Sequence, residues 1–510
     1  MSSRQHRVEK RKRRITSRLA PRNWREQDRP MFRTSNIQYD VADRTTAMGA
    51  GGIGLIHLIG LRIGLSQAIN NRLHLLKRHL PYFESDHVLN IAYNAICGGG
   101  CLEDLEVLRN DEAYLDALGA QRIPDPTTAG DFCRRFEVPN VVALMDAIND
   151  ARVQVWKQQP DEFFDEAVID VDGTIVETTG ECKEGMDLSY KGIWGYHPLL
   201  VSLANTQECL YIENRSGNRN SQEGAPFWLD KGVNLCRRAG FRNIRLRGDT
   251  AFTQTRYLDG WDDAGVTFTF GIAASAPMIA KAECLVNSRW QRLRRPPKYE
   301  VATEERARQE NFKEQIVAER GYKNIRLERE YVASFTHEPG RANREYRIVV
   351  VRKHLQVQED QGEFWPEIRY LFYITNDWDA TTSEVVYSAN KRCNQENLIE
   401  QLKNGTRALH APVNTLVANW AYMVMAALAW NLKIWTALLV PVDGRWRQAH
   451  QREKNELLRM EMKAFVNAVI RLPCQIIRSG RRTIYRVLCW KERLPTLLRL
   501  ADALRHPLRC

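Results

Sequence analysis

The stretch FFDEAVIDVDGTIVETTG, residues 163–180, limits the possible folds of this chain more than any other. It is a run of strand-forming residues with two aspartates, Asp170 and Asp172, two positions apart and so on one face of the strand. Charges inside a buried strand are costly unless they bind something. Asp172 precedes the turn residue Gly173 and is predicted to be the exposed carboxylate. Asp170 lies deeper, where a supporting hydrogen bond is favoured over metal ligation.

The following segments alternate between strand and helix patterns. Strand patterns at 197–205 and 208–214 precede an amphipathic helix at 225–240, and a strand, a helix and a strand follow at 243–249, 253–265 and 266–273. This is the order of a ribonuclease-H-like α/β core, in which the first and fourth strands are neighbours. Asp172 and Asp249 would then meet at the carboxyl ends of two strands, where ligands of open α/β sheets bind. Two such carboxylates predict a site for divalent cations.

A third carboxylate is expected from a helix packed on the sheet. In RCNQENLIEQLK, residues 392–403, one helical stripe contains Arg392, Glu396, Ile399 and Lys403. A carboxylate between two cations suits a metal site with phosphate anchors on either side. The alternative for this stripe is an ordinary solvent-exposed Arg/Glu pair. Glu400, one turn further on, is the rival third acid.

The distribution of charge indicates a polyanionic partner. The net charge is +12, yet residues 1–30 alone hold 11 Lys/Arg against 3 Asp/Glu, and residues 441–510 hold 16 against 6. Basic ends around an acidic middle suggest a polyanion held from both flanks, with solubilising tails as the alternative. Contacts with a DNA backbone are predicted for Lys10, Arg11, Lys12, Arg13, Arg14, Arg481 and Arg482.

Several motifs together resemble those of the DDE transposases of bacterial insertion sequences, most closely insertion sequence family 1380. They are DGT, RGDTAF and R-x-x-x-E-N-x-I-x-x-L-K, together with YKGIWGYHPLL, RSGN, GAPFWLD, YLFYITND and LEDLEVLRND. The resemblance covers most of residues 45–435. It implies a catalytic triad of Asp172, Asp249 and Glu396 that holds two Mg²⁺ or Mn²⁺ ions.

The same resemblance implies a function. The protein would bind the ends of its element as a homodimer, expose 3′-hydroxyls by metal-dependent hydrolysis and join them to target double-stranded DNA. The family class usually has a tyrosine three residues before Arg392, but this chain has Ala389 there and Tyr387 nearby. An alternative is therefore a catalytically impaired DNA-binding protein derived from a transposase.

A remote alternative is a haloacid-dehalogenase-type phosphatase, since DVDGT after a strand also matches the first motif of that class. Such a site needs a later acidic pair for its magnesium. The candidate segment, RGDTAFTQ, has Phe252 and Thr253 where the second acid would stand. The phosphatase interpretation also leaves the basic flanks without a role.

Three further residues are predicted to support the site. His197 begins a strand close to the inferred carboxylates and could contact a substrate phosphate, with turn packing as the alternative. Trp365 and Trp378 border the last strand of a predicted insertion and could stack on an unpaired base, with core packing as the simpler explanation.

The cellular setting follows from composition. Eleven scattered cysteines, an odd number, favour a reducing bacterial cytoplasm, where a DNA-binding protein is associated with the nucleoid. The apolar segment at 412–440 is interrupted by Asn419, Asn431 and Lys433, and predicts a buried helix and no membrane association.

The fold class predicted for the whole chain is α/β, a ribonuclease-H-like core of mixed sheet and helices with helical regions at both ends. Its divisions are a basic flexible arm (1–40), a helical DNA-binding domain (41–160), the first part of the core (161–274), an inserted β subdomain (275–370), the second part of the core with the Glu-bearing helix (371–440) and a basic helical C-terminal region (441–510).

Overall fold

The computed structural model describes residues 3–20, 45–180, 182–295, 324–358 and 364–508, and isolated positions between 31 and 43. The α-helices in these residues are α1 (Ser3–Leu19), α2 (Ile53–Arg62), α3 (Leu65–Arg72), α4 (Glu84–Cys97), α5 (Leu105–Arg109), α6 (Glu112–Leu118), α7 (Pro126–Arg134), α8 (Val138–Trp156), α9 (Ala225–Ala239), α10 (Leu258–Asp263), α11 (Ala276–Glu283), α12 (Thr382–Asn390), α13 (Cys393–Glu400), α14 (Leu416–Leu438), α15 (Arg447–Arg459), α16 (Met462–Phe465) and α17 (Leu494–Ala503).

The β-strands in the same residues are β1 (Ala47–Met48), β2 (Glu166–Gly173), β3 (Val176–Glu177), β4 (Asp187–Leu188), β5 (Trp194–Tyr196), β6 (Leu199–Leu203), β7 (Glu208–Glu213), β8 (Asn243–Gly248), β9 (Thr267–Ile272), β10 (Gln291–Arg292), β11 (Asn324–His337), β12 (Tyr346–Gln358), β13 (Phe364–Thr375), β14 (Cys474–Ser479) and β15 (Arg482–Val487). The protein is thus a mixed α/β structure, as predicted.

A large mixed sheet has the strand order β10-β11-β12-β13-β9-β8-β2-β6-β7. β2, β8 and β9 run parallel to one another, whereas β6 and β7 add an antiparallel hairpin to β2. The first and fourth strands of the predicted core are therefore neighbours, as expected. Ile169, Leu246 and Phe268 are completely buried along these strands, since strands covered on both faces need apolar side chains throughout.

The predicted insertion at 275–370 supplies β-strands, but they join the core sheet and do not stand apart from it. Residues Phe372–Thr375 of β13 pair with residues Thr269–Ile272 of β9. This pairing satisfies the backbone groups along β9, which would otherwise remain an unpaired sheet edge. Residues 296–323 and 359–363 of the predicted insertion lie outside the described residues.

Helix α14 lies in the centre of the molecule, packed on α4, α8 and β7. Every residue from Ala418 to Leu438 is buried. Among the described residues it is the one unbroken helix long and apolar enough to cross a membrane, and all of its apolar stretch is covered by protein. The prediction of a buried helix is confirmed.

A buried carboxylate ties the N-terminal helices to the sheet. Glu208 at the start of β7 pairs with Arg152 of α8 at 3.0 Å, and both side chains are fully buried. The indole nitrogens of Trp156 and Trp435 also donate to Glu208, at 2.9 and 2.7 Å. A buried ion pair is tolerated when its remaining polar atoms are hydrogen-bonded in this way. Helices α8 and α14 are thereby fixed against β7.

The N-terminal segment differs from the predicted flexible arm, because residues 3–19 form α1. Its Arg4 makes an ion pair of 2.6 Å with Asp502 of α17. The guanidinium of Arg11, two turns later, donates to the carbonyl of Leu488. Spacing of about 3.6 residues per turn puts these two side chains on one face of the helix. The two ends of the chain are thus packed together.

The C-terminal region is not entirely helical, in contrast to the prediction for 441–510. Strands β14 and β15 form a hairpin, and β1 pairs with β14. Gly480 and Arg481 connect the strands with φ of 53° and 62°, as a two-residue hairpin turn requires. The sequence CQIIRSGRRTIYRV is typical of such a hairpin, since β-branched residues flank the glycine turn.

Candidate active site

Asp172 and Asp249 lie at the carboxyl ends of the neighbouring parallel strands β2 and β8. Asp172 accepts a hydrogen bond of 2.8 Å from the Gly173 N–H, and Asp249 accepts one of 2.8 Å from the Ala251 N–H. The pKa of Asp172 is raised to about 6. Burial is the main cause, the charge of Asp249 contributes to the rise, and Arg392 opposes it. The two carboxylates are therefore close enough to repel each other, as at a shared cation site.

Arg392 contacts the first of these acids directly. Its Nη1 donates to Asp172 Oδ2 at 3.0 Å, and the two side chains are only 20% and 16% exposed. The predicted phosphate anchor is thus engaged with a carboxylate. Its positive charge partly neutralises the site at which a divalent cation would bind.

Glu396 lies in the first turn of α13. It is four residues beyond Arg392, which is about 6 Å along a helix, and its side chain is exposed. The adjacent Gln395 is buried and accepts a hydrogen bond from the hydroxyl of Ser202 on β6. The helix that carries Glu396 is therefore attached to the sheet next to β2. The rival, Glu400, accepts a hydrogen bond of 2.6 Å from Asn404.

The backbone around Glu396 is less regular than the single helix that the predicted stripe over 392–403 implies. Helices α12 and α13 are separated at Lys391 and Arg392, and a π-helical turn follows at Gln401–Gly405. Lys403 lies within the π turn and donates to the carbonyl of Ile175, three residues after Asp172, at 2.7 Å. Arg392 and Lys403 thus both contact the chain at or just after the end of β2.

Asp170 connects β2 to β8 and, through Arg247, to the end of α12. It is 1% exposed and forms a two-pronged pair with Arg247 of β8, at 2.7 and 2.8 Å. Arg247 also donates to the carbonyl of Ser388 near the end of α12, at 2.8 Å. Burial raises the pKa of Asp170, an effect that Arg247 opposes. Asp170 therefore makes the kind of supporting hydrogen bond that the sequence favours.

His197 lies against Gly173, the residue that follows Asp172. A Cβ atom at Gly173 would be 2.8 Å from its Nε2, so any larger residue there would displace the imidazole ring. Its Nδ1 lies 2.9 Å from the carbonyl of Arg219. A carbonyl can only accept, so Nδ1 carries the proton, and burial lowers the pKa of the ring. His197 therefore packs against the backbone at the end of β2, in agreement with the turn-packing alternative.

Tyr373 of β13, a residue that the sequence analysis did not single out, packs against the apolar cluster that includes Val385 and Val386 of α12. Burial raises its pKa, while the charges of Arg295 and Arg392 lower it. Tyr387, which is close in sequence to Ala389, donates to the carbonyl of Arg294. Local spacing could not reveal Tyr373, because β13 reaches this place through sheet pairing.

Helix α1 contains the predicted DNA contacts Lys10, Arg11, Lys12, Arg13 and Arg14. Lys10, Lys12, Arg13 and Arg14 are exposed, and Arg11 is partly buried. Arg11 is used in docking α1, and the Lys12 ammonium lies 5.5 Å from the centre of the Trp490 ring. Four of the five cations thus remain exposed to a polyanion. Arg481 and Arg482, at the turn of the C-terminal hairpin, are also exposed.

The two predicted stacking residues are exposed and are not part of the core. Trp365 is 67% exposed and Trp378 is 54% exposed. Trp365 is seven residues before Phe372, the first β13 residue that pairs with β9, which is about 23 Å along a strand. The neighbour of Trp378, Asp377, pairs with Arg245 at 3.0 Å, near the beginning of β8 and away from Asp249.

Asp172 and Asp249 suit a divalent cation, because hard cations prefer carboxylate oxygens and the mutual repulsion of the two acids would be relieved by one. Within the described part of the chain, no three His, Cys, Asp or Glu side chains already converge as metal ligands. Two of the three predicted ligands thus fit the ion as they stand, and Glu396 lies nearby on the attached helix.

The sequence model of one protein family, described as transposase DDE domain group 1, matches residues 35–486. The chain belongs to this family. Members of DDE transposase families are in general DNA-cleaving enzymes that use divalent metal ions. Among solved structures, this DDE transposase is similar to a piggyBac transposase, seen by cryo-EM in a synaptic complex with hairpin DNA. That likeness has 12% sequence identity and a TM-score of 0.36, over 83% of this chain and 84% of the other. Among curated proteins, no match was found.

Proposed function

We propose that this protein is the DNA transposase of a bacterial insertion sequence, of the kind grouped in family 1380. It binds the ends of its element, cleaves them by metal-dependent hydrolysis to expose 3′-hydroxyls, and joins those hydroxyls to target DNA. Its catalytic residues are Asp172, Asp249 and Glu396. The core is ribonuclease-H-like, a proposal supported by the order of β7, β6, β2, β8 and β9 in the sheet.

The observation that carries this proposal is the meeting of three elements at one sheet edge. Asp172 ends β2, Asp249 follows the adjacent parallel β8, and Arg392 joins Asp172 to the start of the helix that bears Glu396. Acidic side chains from two strands and one helix would then converge at the carboxyl edge of the sheet, where ligands of such sheets bind.

Two Mg²⁺ or Mn²⁺ ions held by Asp172, Asp249 and Glu396 would supply the charge that activates an attacking oxygen and stabilises the leaving one. The chain itself contributes positioning. The N–H groups of Gly173 and Ala251 each hold one carboxylate oxygen, which limits the orientations of the two aspartates before reaction. Arg392, once released from Asp172, would bind a phosphate of the DNA.

The partners proposed are element ends and target DNA, both double-stranded. The exposed Lys10, Arg13, Arg14, Arg481 and Arg482 contact the phosphate backbone, which fixes position without reading sequence. A homodimer in the DNA complex follows from the reaction, since two ends must be joined together.

The alternative, an impaired DNA-binding relative, has one observation in its favour. Arg392 occupies an oxygen of Asp172, and in the described residues Glu396 has not joined the two aspartates as a third metal ligand. A protein that kept this arrangement on DNA would bind without cutting.

A mobilisation assay tests the function. A selectable marker between the sequences that flank the gene is placed on a plasmid, and the protein is supplied separately in a bacterial host. Wild type should move the marker, and Asp172→Asn should abolish movement, while the exposed control Glu177→Gln should retain it. Equal movement with wild type and Asp172→Asn, or none with wild type, would refute the proposal.

A further inference from the structure

A short hairpin at 187–196, here named the aromatic hairpin, projects beside the proposed active site. β4 pairs with β5, and β5 also pairs with β3. At the tip, the Gly192 N–H donates to the carbonyl of Ser189 at 2.9 Å, and the Ser189 N–H donates to the carbonyl of Ile193 at 2.9 Å. Gly192 has a φ of 73°, a conformation in which glycine is favoured. Tyr190 and Lys191 are thus held at the tip on a fixed backbone.

The aromatic hairpin exposes an unusual amount of apolar surface. Tyr190 is 74% exposed, Trp194 is 53% exposed and Leu188, the cross-strand partner of Trp194, is 46% exposed. Exposed apolar side chains gathered in one patch commonly mark a place where something binds. Rings on a rigid turn lose little conformational entropy when they bind a flat partner.

This patch is adjacent to the catalytic carboxylates. The Tyr190 ring centre is 6.1 Å from that of His197, and His197 packs against Gly173, the residue after Asp172. Strand β3, only four residues beyond Asp172, pairs with β5. The imidazole ring of His197 therefore lies between the exposed Tyr190 and the strand end that bears Asp172.

A positive charge lies beside the exposed rings, since the Lys191 ammonium is 5.5 Å from the centre of the Tyr190 ring. A second cation, Lys403, donates to the carbonyl of Ile175, the residue before β3. Burial lowers the pKa of Lys403, and the charge of Lys191 contributes to the lowering. Cations beside exposed rings are the combination that binds single-stranded nucleic acid, because phosphates pair with the cations and base faces stack on the rings.

We propose that the aromatic hairpin binds the unpaired strand of DNA next to the scissile phosphate, with bases stacked on Tyr190 and Trp194 and a phosphate held by Lys191. The proposal rests on the proposed function and adds a substrate-binding surface to it. Single-stranded DNA is favoured over duplex because base faces are covered inside a duplex. Tyr190 is linked to the end of β2 through His197, whereas Trp365 is about 23 Å along its strand from the first β13 residue that pairs with β9.

A binding experiment with the full-length protein in EDTA tests this surface without cleavage. The probes are a short labelled blunt duplex and the same duplex with a single-stranded 3′ thymidine tail. The tail should increase the affinity of wild type. Tyr190→Ala should reduce that increase by about 5- to 100-fold, as expected for the loss of one base stack, while Tyr190→Phe should retain it. Lys191→Ala should weaken binding of the tailed probe, lower the salt dependence of that binding by about one unit, and leave binding of the blunt duplex unchanged.

Trp365→Ala is the matched control, an exposed tryptophan on another part of the sheet, and it should leave the effect of the tail unchanged. Retention of the full tail effect by Tyr190→Ala and by Trp194→Ala would overturn the proposal while the proposed function stands. Loss of the tail effect in Trp365→Ala alone would also overturn it, in favour of that residue. Failure of wild type to bind either probe would contradict the proposed function as well.

Discussion

Replacement of Arg247 with methionine should strongly destabilise the sheet around the catalytic residues. Arg247 donates two hydrogen bonds to Asp170 and one to the carbonyl of Ser388, and the two charged side chains are 5% and 1% exposed. Removal of one partner from a buried ion pair costs about 3–5 kcal/mol, because the other charge remains buried without compensation. The free energy of unfolding, measured by urea titration with tryptophan fluorescence, should fall by about that amount.

The double variant Asp170→Leu with Arg247→Met separates this cause from a simple loss of packing. It removes both charges and leaves only the Ser388 carbonyl without a partner, at a cost of about 1–3 kcal/mol. The double variant should therefore be more stable than Arg247→Met alone. A double variant as unstable as the sum of the two single variants, or a single variant that costs less than about 1 kcal/mol, would refute the reasoning.

Three further outcomes are expected. Glu396→Gln should abolish DNA cleavage without loss of DNA affinity, whereas Glu400→Gln should still cleave, as gel assays of both activities would show. Arg13→Gln combined with Arg14→Gln should weaken binding to all DNA sequences alike and reduce the salt slope by about two units, measured by anisotropy titrations at several salt concentrations. Burial lowers the pKa of Lys433 to about 7 from 10.5, so at higher pH the unfolded chain binds the proton that the folded chain lacks. The free energy of unfolding of wild type should therefore rise relative to that of Lys433→Met between pH 7 and 9, by at most about 1.4 kcal/mol per pH unit. Urea unfolding of both proteins at several pH values measures this difference. Equal pH dependence in the two proteins would show that Lys433 is not responsible.

The neighbourhood of Asp172 and Asp249 is predictable from sequence, because each lies at the end of a strand pattern and the order of elements indicates which strands pair. The buried helix α14 is predictable for a similar reason, since its apolar run is interrupted by polar residues such as Lys433 that a membrane would disfavour. Both predictions use a pattern of neighbouring residues, a strand run or an apolar run, that has the same structural meaning in most proteins.

Other features depend on contacts between distant segments. The pairing of β13 with β9 brings Tyr373 against the apolar residues of α12, and no spacing in the chain records that approach. The π turn at Gln401–Gly405 is a deviation of one helical turn, which helix periodicity cannot reveal. The aromatic hairpin was visible only as part of a motif, because the significance of Tyr190 comes from its exposure and its distance from Asp172.

The most direct test of the central claim is strand cleavage by the purified protein. Labelled DNA from the flanks of its own gene is incubated with and without Mg²⁺, beside Glu396→Gln, and the ends of the products are mapped. Metal-dependent nicks that leave 3′-hydroxyls at a repeat boundary, absent with Glu396→Gln, are the predicted result. Tight binding without cleavage by wild type, in Mg²⁺ or in Mn²⁺, would contradict the account and identify the chain as a DNA-binding relative of the transposases.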